Sequence, residues 1–81
     1  MKYNTKEIEN NILKYLDENR EASPQSLTKI RLAVGLNDSK GDMRTIKECL
    51  DNLMKKSLIR KQADRGNYKI EEKGIAYINE Q

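Results

Sequence analysis

Apolar residues recur through this chain at two different periods, and the change of period divides it into elements. The most regular stretch is Asp42 to Ile59, where Met43, Ile46, Leu50, Leu53 and Met54 fall at steps of three, four, three and one. That spacing predicts a helix from Met43 to about Lys56 with one buried face, and leaves Arg44, Thr45, Glu48, Asn52 and Lys55 on the polar side. Ahead of it, Ile8, Ile12, Leu13, Tyr15 and Leu16 line one face of a first helix. Asn4 and Glu7 resemble a capping box opening that helix at about Thr5, and it ends near Asn19-Arg20. Ser23-Pro24 predicts the start of a second helix, because Ser caps well and Pro at the first helical position gives up only an unpartnered N–H. Leu27, Ile30 and Val34 are its apolar positions; it runs to about Ala33, and Gly35 ends it in a left-handed cap. Glu21-Ala22 is a short connection able to pair as a minor strand with a later hairpin.

The connection from Leu36 to Asp42 offers two caps for the third helix. Asp42 is expected to be the cap because Gly41 is a poor interior residue; the alternative is Ser39, one turn earlier, with Asp42 at the third helical position. After Ser57 the period falls to two. Leu58–Ala63 and Asn67–Glu71 read as strands around Asp64-Arg65-Gly66, with Tyr68 and Ile70 on a buried face and Lys69 opposite. Glu71-Glu72 opens a short last helix where negative charge suits the helix dipole, and Ile75 and Ile78, with Tyr77, dock it. The expected fold is mostly α: a three-helix core, a β-hairpin and a short C-terminal helix, in a single domain over residues 1–81.

Composition narrows the chemistry. With 81 residues, one Cys and no His, an internal disulfide and an ordinary zinc site are both excluded. No apolar run is long enough to span a bilayer, and no signal-peptide pattern opens the chain, so a cytoplasmic location is expected. No residue set suits catalysis: a His base and a Gly-rich phosphate loop are lacking, and Glu71-Glu72 alternates sides. We therefore expect no enzyme, no cofactor and no small-molecule ligand. The net charge of +3 is unevenly spread. Residues 1–22 carry four basic and five acidic side chains, whereas residues 55–73 carry seven basic ones against three acidic. Such asymmetry suggests a patch that meets a polyanion; the bland alternative is a solvated lysine-rich surface.

The run Thr45-Ile46-Lys47-Glu48-Cys49-Leu50, continuing through Leu53, Lys55-Lys56-Ser57 and Leu58-Ile59, resembles the third-helix signature of winged helix-turn-helix DNA-binding proteins, the small MarR- and PadR-like transcriptional regulators. Tyr68-Lys69-Ile70-Glu71-Glu72-Lys73-Gly74 looks like that family's exit from the wing. The resemblance covers roughly residues 8–78. Ser57 stands where the family usually has Gly, Glu72 where it has a Thr cap, and Glu48 where a basic residue is common. What the resemblance implies is sequence-specific binding of double-stranded DNA by a homodimeric, nucleoid-associated regulator, with Tyr3, Tyr15, Tyr77 and Ile78 as candidate dimer contacts. Arg44 would bond a guanine edge, Thr45 a phosphate or thymine methyl, and Lys47 a phosphate. Glu48 can accept from cytosine N4, and Ser39 and Lys40 reach the backbone. Arg65 at the wing tip would meet the minor groove or a phosphate, flanked by Lys61, Asn67 and Lys69. Gln25 and Ser26, opening the second helix, are further phosphate candidates. Cys49 reads as half-buried packing on the shoulder of the third helix. Two rival readings share the pattern: a protein–protein adaptor, favoured by Glu48 and Asp51, and a plasmid or viral replication or partition protein that also binds DNA.

Overall fold

A computed structural model describes residues 4–63 and 66–80. The elements run α1 (Thr5–Glu18), α2 (Leu27–Ala33), α3 (Lys40–Lys55), β1 (Ile59–Lys61), β2 (Tyr68–Ile70) and α4 (Glu72–Asn79). The fold is thus mostly helical, with one two-stranded antiparallel sheet. α1 is the hub and packs on α2, α3, α4 and β2. Its buried stripe of Ile8, Ile12, Leu13 and Leu16 meets Ile30 of α2, Ile46, Cys49, Leu50 and Leu53 of α3, and Ile78 of α4 in one core. Met43, Met54, Leu27, Val34 and Ile75 edge that core as half-buried residues.

The caps decide where each helix begins. The Asn4 side chain accepts the Glu7 N–H at 3.1 Å, so α1 opens as its sequence predicts. α2 begins three residues later than Ser23-Pro24 suggests, with Ser26 as its cap, accepting the Lys29 N–H. The reason is tertiary. Gln25 is held extended by a two-way backbone bridge, its N–H donating to the Tyr68 carbonyl at 2.8 Å and its carbonyl accepting from the Tyr68 N–H at 2.7 Å. The minor pairing expected at Glu21-Ala22 therefore falls at Gln25. α3 also begins earlier than Asp42: Ser39 caps it, accepting the Asp42 N–H at 3.2 Å. The Asp42 carboxylate is buried and takes the Asn37 N–H at 2.7 Å, which fastens the preceding loop to the helix. Gly41 falls in the first turn of α3, outside the helix interior in which the backbone entropy of glycine is most costly.

At the other ends, α2 closes on Gly35 (φ +78) with Gly35 N–H to Leu32 and Leu36 N–H to Arg31, a Schellman cap. α3 closes in the same way on Ser57, a non-glycine residue at φ +62. The strands are shorter than their period-two pattern, because only Ile59↔Ile70, Arg60↔Lys69 and Lys61↔Tyr68 pair. Gly66, at φ +68, donates its N–H to the Gln62 carbonyl and closes the hairpin.

Candidate nucleic-acid interface

The exposed face of α3 is fixed by its buried one. With Ile46, Cys49, Leu50 and Leu53 turned into the core, helical geometry turns Lys40, Arg44, Lys47, Glu48 and Asp51 outward. Lys40, Met43, Arg44, Lys47, Glu48 and Asp51 line an open groove of about 420 Å³. Lys47 and Asp51 also line a second, narrower groove of about 270 Å³, together with Leu27, Lys61, Gly66 and Tyr68. The two grooves join into one surface running from the start of α3 to the hairpin. Lys61 reaches it because its strand position is on the Tyr68 face, with Nζ 5.9 Å from the centre of the Tyr68 ring. The Tyr68 phenol is shifted up in pKa, first by burial and then by the Asp51 carboxylate. Asp51 thus faces the hairpin, and Glu48 is left toward the open groove.

Among the described residues, Lys40, Arg44, Lys47, Lys61 and Glu48 enter no ion pair, and no hydrogen bond from their side chains is present. Thr45 differs: its hydroxyl donates to the Gly41 carbonyl at 3.0 Å. Ser39 is occupied as the α3 cap. Gln25 is withdrawn from the surface altogether, buried with its side-chain oxygen accepting from the Tyr15 hydroxyl at 2.6 Å and its Nε2 donating to the Ser23 carbonyl at 2.7 Å. Ser26 serves as the α2 cap.

The hairpin separates the basic residues that its sequence groups together. Lys61 faces α3. Lys69, paired opposite Arg60, lies on the other side, where its Nζ donates to the Ala22 carbonyl at 3.3 Å. That side holds a larger groove, about 670 Å³, where Arg20, Arg60, Lys69 and Lys73 are interleaved with Glu21, Glu71 and Glu72. Its cations are already engaged in part, Arg60 pairing with Glu71 at 3.4 Å. Asn67 is half-buried, its carbonyl accepting the Gln62 N–H across the turn. Arg65 lies outside the described residues, as does Tyr3. Of the other dimer candidates, Ile78 is spent in the core and Tyr15 is tied to Gln25; Tyr77 is left exposed on α4.

Two features of α3 escape its sequence pattern. Cys49 is fully buried, not half-buried on a shoulder, with its thiol 3.9 Å from the Thr5 carbonyl. Burial, followed by the charges of Glu9 and Glu48, pushes that thiol up to about 11, so it is no ready thiolate. Asn52 and Lys56, on the polar side, reach across to α1: Asn52 Nδ2 donates to Glu9 Oε2 at 3.2 Å, and Lys56 Nζ lies 3.8 Å from Glu9 Oε1. This seam fixes α3 against α1 and hence the direction of its exposed face.

No helix among the described residues is long and apolar enough to cross a membrane. No family model matches the chain, and comparisons with curated proteins and with solved structures return no significant match.

Proposed function

We propose that this chain is a winged helix-turn-helix protein that binds double-stranded DNA sequence-specifically as a cytoplasmic, nucleoid-associated transcriptional regulator. In this reading α2 and α3 are the helix-turn-helix, β1 and β2 the wing. α3 enters the major groove with Arg44 toward a guanine edge, the Thr45 methyl toward a thymine methyl, and Lys40 and Lys47 on phosphates. Lys61 and Arg65 bring the wing onto the adjacent backbone or minor groove. The observation that carries the reading is the convergence of four cations, Lys40, Arg44, Lys47 and Lys61, none of them in an ion pair among the described residues, from two elements on one surface. A single module of this size buries little DNA, so two copies on a pseudo-palindrome supply the specificity a genome demands.

Fluorescence anisotropy on duplex DNA at two salt concentrations tests this, with probes that include the DNA upstream of the gene. Wild type should bind with an affinity that falls steeply with salt. Arg44→Ala should weaken binding to a preferred site by about 1–3 kcal/mol. Arg65→Ala should weaken all sequences alike and lower the salt slope by about one. Silence toward DNA at low salt would sink the reading. It would favour a protein–protein adaptor, the alternative supported by the carboxylates of Glu48 and Asp51 on the same surface. A replication or partition protein would use the same DNA chemistry, and its binding would differ only in which sites it selects.

A further inference from the structure

A carboxylate in the middle of a cationic groove opposes binding to any phosphate backbone, and Glu48 stands in that position. It is exposed, lines the same groove as Lys40, Arg44 and Lys47, and has no ion pair or hydrogen bond among the described residues. Arg44 lies four residues earlier, a spacing at which opposite charges on one helix face can pair. The two do not pair, and each keeps its hydrogen-bonding capacity for a ligand. Asp51, one turn further on, lines both this groove and the one beside the hairpin.

From these two free groups on one helix face, and resting on the DNA-binding reading above, we infer that Glu48 selects a cytosine, through its N4 amine, within two base pairs of the guanine that Arg44 takes. Four helical residues advance about 6 Å, against about 3.4 Å per base-pair step, which sets the separation. The chemistry is complementary. A guanidinium has donors only and matches the O6 and N7 acceptors of guanine; a carboxylate has acceptors only and matches the amine of cytosine. Guanine and thymine present acceptors to Glu48 and are repelled. Adenine offers its N6 amine beside the N7 acceptor and is second best. On DNA without an amine at that position the carboxylate is desolvated with nothing in return, so the groove rejects it. Glu48 is thus a specificity-determining residue that works by lowering affinity for wrong sequences.

Selection from a randomised 20-base-pair duplex pool, with sequencing of the retained fraction, tests this on the full chain as wild type, Glu48→Gln and Glu48→Ala. The wild type should enrich a motif with a cytosine near a guanine, preferring cytosine over thymine about tenfold at that position. Glu48→Gln, whose amide both donates and accepts, should lose that preference while keeping the guanine, and both variants should hold unselected duplex more tightly than wild type. Circular dichroism should show all three equally folded, as the position is exposed. A wild-type motif that Glu48→Gln and Glu48→Ala reproduce base for base overturns the inference and leaves DNA binding standing. If the wild type retains no duplex, the DNA-binding reading itself fails.

Discussion

Ser57 carries the one positive φ on a non-glycine among the described residues, at +62, and it sits where α3 hands the chain to β1. Its N–H bonds the Met54 carbonyl and the next N–H, of Leu58, bonds Leu53, so the left-handed turn is demanded by the cap. An L-residue there is strained by its Cβ against the backbone. Glycine removes the strain, at the cost of a looser unfolded chain. Ser57→Gly should therefore raise stability by about 0.5–1 kcal/mol, read as a higher urea midpoint at unchanged slope. The position is exposed and lies off the α3 groove, so DNA affinity should not move.

The element most exactingly fitted is α4. Its N-cap, Glu71, makes no side-chain cap bond, so the helix is held by other means. The Glu71 N–H donates to the Leu58 carbonyl at 2.9 Å, and Gly74 is buried directly against that same carbonyl. A Cβ built on Gly74 collides with the Leu58 carbonyl and meets the Ile70 side chain at 2.8 Å. Backbone cannot yield as a flexible side chain does. Gly74→Ala should cost about 1–3 kcal/mol by overpacking, although alanine is the better helix former. Thermal unfolding measures it; an unchanged melting temperature would mean α4 docks more loosely than described.

At the scale of the whole molecule, the α1–α3 seam ties global stability to pH. Cys49 is fully buried with its thiol pushed from 9.0 to about 11, by burial first and then by Glu9 and Glu48. Because the folded pKa is raised, the unfolded chain loses its proton first. The contribution is complete below pH 9 and is lost as pH rises to about 11. Tyr68, also raised by burial, adds to the loss at the alkaline end. Urea midpoints should fall across pH 9 to 11, and Cys49→Ala should flatten that fall. Consistent with the same burial, a thiol reagent at pH 8 should label Cys49 only once denaturant has unfolded the chain.

What the sequence determined by itself is whatever depends on local period and local charge. The helical stripe of α1 and α3, the Asn4 and Gly35 caps, the alternation of Tyr68, Lys69 and Ile70, and the outward positions of Arg44 and Glu48 are all legible, because neighbours three, four or two residues apart decide them. Where two local choices were nearly equal, only tertiary contacts decided. Ser26 outranks Ser23 because Tyr68 claims the Gln25 backbone, and Ser39 outranks Asp42 because Asn37 claims the carboxylate. The same holds for the candidate surface. Lys61 and Lys69 look equivalent along the chain, yet the hairpin sends one to α3 and the other to the Ala22 carbonyl. Which charges are free for a ligand is settled by distances between residues far apart in sequence, and those distances exist only in the folded chain.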